Sequence, residues 1–355
     1  ACQKMLSATT TTTIARRRTL CLGSFVSKTV HLLLLTGVAK GFQFDRSRTI
    51  AAVKTATNQN IRRFFATTTT TSTTTSIAMA SDKSGLFLFD FDGVVCDSCD
   101  ECTVSALRTC QRLGVFEKNN HEAWNQWKNP PEWLNHKMRE IRPAIEVGWQ
   151  IPVLLSVFLE QQQDPASAMS VEQIIEHYQS LVDDWLCRNS LKESDMIATF
   201  GQVRDDWIQG DLSSWLDINK FYPGVPEAIN ACKGTPVLVT TKQQRFAIAL
   251  CRHAGVTEDA LPDDRIYGLG QYKNKADVIS DRMTNGEVKY DPQNTHFFED
   301  RWPTLEKCLK DPRLEGVNLY LCAWGYVADS ELERAKAEPR VKVLSLEEFS
   351  QVVAS

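Results

Sequence analysis

Apolar and polar positions change rhythm along this chain, and each change marks an element. After Gly85 the run Leu86-Phe-Leu-Phe89 is unbroken apolar and ends in acid, the pattern of a strand buried on both faces of a parallel sheet. Ser98-Cys-Asp-Glu101 has the S-x-x-E spacing of a capping box and predicts a helix start. Val104, Leu107 and Leu113 continue at helical spacing until Gly114 stops them. Residues 115–219 are rich in Trp, Glu and Gln, with helical stretches and no convincing strand. Strands return at Thr235–Thr241, at 295–299 (THFFE), at 317–323 (VNLYLCA) and, as an edge, at 340–345; a helix from about Gln244 to His253 lies between the first two and ends before Gly255. Strands alternating with helices predict right-handed βαβ units. The expected fold class is α/β: a Rossmann-like parallel sheet core over 84–97 and 220–355, with a long α-helical insert over 98–219. Ligands of such sheets bind at the carboxyl ends of the strands, where Asp90, Thr240, Glu299 and Asp300 fall.

Residues 1–80 do not carry such a pattern. Arg16, Arg17 and Arg18 precede an apolar run from Val30 to Ala39 that is too short to span a bilayer and fits a signal-peptide core. Ala39-Lys40-Gly41 offers a cleavage site, with Phe42 first in the mature chain. From Arg46 to Ser81 there is no acid, and 66–76 reads ATTTTTSTTTS, a transit-peptide composition unable to form a core. Signal, Phe and transit-like segment together resemble the bipartite presequence of algae with complex plastids, so the expected localisation is the plastid; a mitochondrial presequence is the alternative. These residues hold eleven Lys/Arg and one acid, about +10, which leaves about −14 on the rest of a chain whose net charge is −4. An acidic body gives no broad support for nucleic-acid binding. Membrane residence of the mature form is not expected, and the sequence is silent on oligomeric state.

The chemistry concentrates in Phe89–Cys102. Asp90 and Asp92 alternate, so both carboxylates can share a face, one attacking phosphorus and the other handling the leaving-group proton. Two anions beside an anionic phosphate call for Mg²⁺, with further carboxylates from Glu299 and Asp300. Lys273 and Lys275 precede that strand and are the candidates for a charge-stabilising cation; Thr240 offers a hydroxyl. Six dispersed histidines, with no HxH or HExxH spacing, argue against a zinc enzyme. Cys96, Cys99 and Cys102 lack the fourth thiol of a ferredoxin-type run, which leaves a regulatory disulfide, such as Cys96 with Cys99, as their functional alternative to plain burial.

Four stretches resemble the motifs of the haloacid-dehalogenase-like (HAD) hydrolases, in order: DFDGVVCDS; VLVTTKQQRFAIALCRHAGV, as in phosphoglycolate-phosphatase-like members; KADVI; and FFEDRWPTL. The resemblance covers about 84–355. It implies Asp90 as nucleophile, Asp92 as acid then base, Thr240 as phosphate-binding hydroxyl and Lys275 as the stabilising cation, with Lys273 its alternative. Asp90, the Asp92 carbonyl, Glu299 and Asp300 would hold Mg²⁺. Thr241 stands where the family often has Asn, and Thr304 where it often has a second acid, a charge Glu299 would supply. The resemblance also implies that the insert over 98–219 is an α-helical cap, which would close over a small phosphorylated metabolite. Within it, Arg139 and Arg142 could meet the substrate's anionic end; the plainer alternative is a solvated helix face with Arg142 and Glu146 paired at i,i+4. Trp124, Trp127, Trp133 and Trp149 read as cap core. The expected activity is Mg²⁺-dependent phosphatase, with a phosphomutase of the same fold or a catalytically weak binding protein as alternatives.

Overall fold

The computed structural model describes residues 85–119, 121–286 and 288–354; the presequence expected over 1–80 lies outside them. Strand β1 (Leu86–Phe89) is followed by the short β2 (Cys96–Asp97) and helix α1 (Cys99–Arg112). Helices α2 (Val115–Lys118), α3 (Glu132–Ile141), α4 (Ile151–Gln163), α5 (Val171–Glu176), α6 (Tyr178–Asn189) and α7 (Glu193–Ile218) come next. The chain then alternates: β3 (Lys220–Phe221), α8 (Val225–Asn230), β4 (Thr235–Val239), α9 (Gln244–His253), β5 (Ile266–Tyr267), α10 (Lys275–Thr284), β6 (Thr295–Glu299), α11 (Trp302–Lys310), β7 (Asn318–Cys322), α12 (Asp329–Ala337), β8 (Val341–Leu344) and α13 (Leu346–Ala354). No helix among the described residues is long and apolar enough to cross a membrane.

The main sheet is parallel throughout, in the order β5-β4-β1-β6-β7-β8. Strand β1 is fully buried because it feeds two cores. Leu86 and Leu88 pack with Val237, Phe297 and Leu319 on one face, and Phe87 and Phe89 with Leu238, Phe298 and Tyr320 on the other. Across the second face Phe89, Phe298 and Tyr320 stack at 5.0 and 4.6 Å between ring centres. The alternation also registers the strand ends. Phe89 lies opposite Leu238 and Phe298, so Asp90, Thr240 and Asp300 emerge at one edge.

The helical segment leaves and rejoins the sheet at one place, because β2 pairs antiparallel with β3. It has a core of its own, with Trp124 and Trp149 buried and Trp127 and Trp133 packed against it, as the sequence led us to expect. Helix α7 ties the two regions together: Met196 and Phe200 belong to the helical core, Trp215 to the sheet core. It breaks at Asp211 (φ −156°, ψ 81°), whose carboxylate accepts the Ser214 N–H and recaps the second half. The two-residue β5 was not foreseen, since so short an edge strand shows no periodicity. The capping box expected at Ser98 and Glu101 is also absent. Ser98 donates its hydroxyl to Asp92, and Glu101 is drawn inward by Arg204, a stronger partner than a backbone N–H.

Candidate active site

The first strand turns sharply after Asp90. Cys96 donates its N–H to the Phe91 carbonyl and Gly93 donates to the Cys96 carbonyl, closing a tight loop. Gly93 has φ +91°, and a Cβ there would lie 1.7 Å from Asp300 Oδ2. Only glycine lets this loop lie against the end of β6. The turn brings Asp90 beside Glu299 and Asp300, with one oxygen of each within 4.8 Å of the others. Lys275, first residue of α10, bridges them: its Nζ stands 2.8 Å from Asp90 Oδ1 and 2.7 Å from Glu299 Oε2. Asp300 accepts the Tyr326 N–H on Oδ2 at 2.8 Å, while its buried Oδ1 has no partner.

The electrostatics follow from burial. Desolvation pushes the Asp90 carboxyl up to about 7; Lys275 opposes this and Glu299 adds to it. Burial and then Asp90 push Asp300 up to about 6. Burial raises Glu299 as well, against the pull of Lys275. Three crowded carboxyls, one with an oxygen lacking a partner, are a donor set suited to a hard, oxygen-seeking dication such as Mg²⁺. Asp92 behaves differently. Burial would raise it, but Lys242, Arg142 and the Ser98 hydroxyl outweigh that and hold it below the usual carboxylate range.

A cavity of about 360 Å³ has Asp90, Asp92, Arg142, Thr241, Lys273, Lys275 and Arg301 in its wall. Lys275 and Lys273 both reach it, but only Lys275 is salt-bridged to Asp90. Thr240 is wholly buried, and its hydroxyl accepts the Lys242 N–H at 3.0 Å; the wall at this point is Thr241, whose hydroxyl donates to the Glu146 carbonyl at 2.9 Å. Arg142 is buried rather than on a solvated helix face. It stacks 4.2 Å over Tyr326, and its Nε has no partner. The i,i+4 pair with Glu146 does not form, because Glu146 faces Lys307 and Arg301 instead, at 3.2 and 3.8 Å. Arg139 is turned away from the cavity, paired with Asp97 and Asp100 at 2.8 Å each.

The thiol alternative finds no disulfide: Cys96, Cys99 and Cys102 are free and buried. Burial pushes the Cys99 thiol up to about 12 and raises the other two, so little thiolate is present to react. Four residues of the site carried no functional reading in the sequence: Lys242, Glu101, Arg204 and Arg301. Lys242 had a usable signal, since it directly follows Thr240-Thr241. Glu101 was misassigned to a cap, and nothing local marks Arg204, which joins Glu101 from 103 residues away.

No family model matches the chain, and no curated protein does. Among solved structures, it is similar to one from Clostridium difficile named as a phosphatase, at 16% identity and TM-score 0.45, covering 76% of this chain and 99% of that one. It is similar to a haloacid dehalogenase-like hydrolase from Streptococcus pneumoniae at 16% identity and TM-score 0.44, covering 76% and 99%. It is also similar to a structure from Thermotoga maritima named as a β-phosphoglucomutase, at 18% identity and TM-score 0.40, covering 76% and 97%. At such identities and scores no activity or residue role carries over, and the chain's own side chains must support its function.

Proposed function

We propose that this chain is a Mg²⁺-dependent phosphatase acting on a small phosphorylated metabolite through an aspartyl-phosphate on Asp90. The observation that carries the reading is the Lys275 bridge. The Asp90 carboxylate is held 2.8 Å from a buried ammonium at the wall of the cavity, with Asp300 presenting a bare oxygen behind it. Asp90 would attack phosphorus as the bond to the leaving oxygen breaks. Asp92, ionised in the free chain, would take up a proton as the anionic substrate binds beside it, give that proton to the leaving oxygen, and later take one from the water that cleaves the aspartyl-phosphate. Lys275 would shift from Asp90 toward the phosphoryl oxygens, offsetting their charge. Asp90, Glu299, Asp300 and the Asp92 carbonyl would hold Mg²⁺, which supplies the positive charge that lets a phosphate approach these carboxylates. Buried Arg142, with Lys273 and Thr241, lines the space left for the rest of the substrate. The helical segment over 98–219 would act as the cap that excludes water during transfer.

The test is phosphate release from a panel of phosphorylated metabolites by the full chain, with and without Mg²⁺, beside Asp90→Asn. Mg²⁺-dependent release by the native protein and none by the variant is expected. No release from any compound would count against the reading, and isomerisation of a sugar phosphate without release would make it a mutase. Delivery to a plastid by residues 1–80 is a companion proposal, tested by fusing that segment to a fluorescent protein in an alga with complex plastids; a cytosolic or mitochondrial signal would overturn it.

A further inference from the structure

Behind Asp92 lies a buried network that the phosphatase scheme does not use. Lys242, in the loop after β4, has a side chain 1% exposed, and its Nζ stands 3.2 Å from Asp92 Oδ1 and 3.8 Å from Glu101 Oε2. Glu101 is already satisfied. Arg204 grips it with Nε and Nη2 at 2.8 and 2.6 Å, the Ser105 hydroxyl donates at 2.7 Å and the Trp215 indole at 3.2 Å. It serves as a distant counter-ion that keeps the ammonium in place, while the closer partner of Lys242 is Asp92. The Ser98 hydroxyl donates to the same Oδ1. Asp92 Oδ2 takes no hydrogen bond among the described residues, and Asp92 belongs to the cavity wall. Two donors thus occupy one oxygen and leave the other to the substrate side.

Arg204 alone neutralises Glu101, so Lys242 is not needed for that. A lysine buried this deeply costs several kcal/mol of desolvation unless a nearby anion repays it. The anion it approaches most closely is the one proposed to move protons.

We propose that Lys242 is a positioning residue for Asp92: with Ser98 it pins Oδ1, so that Oδ2 alone faces the reacting phosphoryl group. The inference rests on the phosphatase reading. The step most exposed to its loss is the second. There, the water oxygen bonds to phosphorus as the Asp90–O–P bond breaks, the electron pair returns to Asp90, and the water proton passes to Asp92 Oδ2. A carboxylate free to rotate about its terminal bond would miss that water more often than it would miss a leaving group already bound.

The test uses the full chain with Mg²⁺ and p-nitrophenyl phosphate, whose leaving group departs without a proton. Lys242→Met is expected to form the aspartyl-phosphate and then stall. The signs are a burst of about one nitrophenolate per enzyme, a steady rate lower by about 10–100-fold, a lower KM, and a chain heavier by one phosphoryl group in the mass spectrum. Lys242→Arg, which keeps a cationic donor, is expected to recover part of the rate. A purely structural lysine would instead lower melting temperature and both steps together, with no burst. If Lys242→Met does not fold, Lys242→Gln keeps most of the volume and gives the same readout. Native turnover with a Lys242 variant that shows no burst and a kcat within about twofold would overturn the positioning role alone. A native protein that never releases nitrophenolate would overturn the phosphatase reading instead.

Discussion

Asp90 and Asp92 are two residues apart and live in opposite electrostatic worlds. Burial, with Glu299 adding to it against the pull of Lys275, holds the Asp90 proton up to about 7; Asp92 is held ionised by Lys242, Arg142 and Ser98 in spite of its burial. One oxygen of Asp300 waits behind Asp90 without a partner. Asp300→Asn keeps the shape and removes the charge, so Mg²⁺ affinity measured by calorimetry should fall by at least about tenfold. Glu101 shows the cost of breaking rather than replacing a buried pair. Burial would raise it, yet Arg204 and Lys242 draw it down to about 2. Glu101→Gln leaves the buried Arg204 without its anion and should cost about 3–5 kcal/mol in denaturant unfolding. A loss under about 1 kcal/mol would mean that the pair behaves as an exposed one.

The elements deliver these side chains through their ends rather than their middles. Strands β1 and β6 are in parallel register, so Asp90 and Asp300 need only a tight turn to meet, and Gly93 makes that turn. Gly93→Ala would combine an unfavourable backbone with a Cβ inside the Asp300 carboxylate. The expected outcome is a protein that still folds, seen in an unchanged circular dichroism spectrum, with Mg²⁺-dependent turnover lost. Full activity in this variant would show that the loop can retreat from Asp300. Helix α7 matters in another way, because Arg204 in its first half and Trp215 in its second both donate to Glu101. The bend at Asp211 lies between them, so one helix reaches the same buried carboxylate from two directions.

Across the whole molecule, burial of acids makes stability depend on both pH and cation. Asp90 and Asp300 hold protons up to about 7 and about 6 that the unfolded chain releases near 3.8. The folded state therefore binds more protons between those values, and stability should fall as pH rises through about 4 to 7 in chelator. Added Mg²⁺ should reverse this by replacing the protons, most strongly at the upper end; melting curves across pH with and without Mg²⁺ check it. Glu101 acts in the opposite sense, its contribution present above 4.5 and lost as pH falls toward about 2. Much of this was legible beforehand. The apolar run before Asp90, the strand at 295–299 and the order of the motifs depend on local periodicity, which a chain displays directly. The sequence by itself determined which strands are buried and which acids end them. Only the tertiary structure decided which lysine meets Asp90, that Arg142 is buried while Arg139 is not, and that Glu101 answers to Arg204 rather than to its own helix end. Those choices depend on which charges share a desolvated space, and that space exists only after segments 100 or more residues apart have packed together.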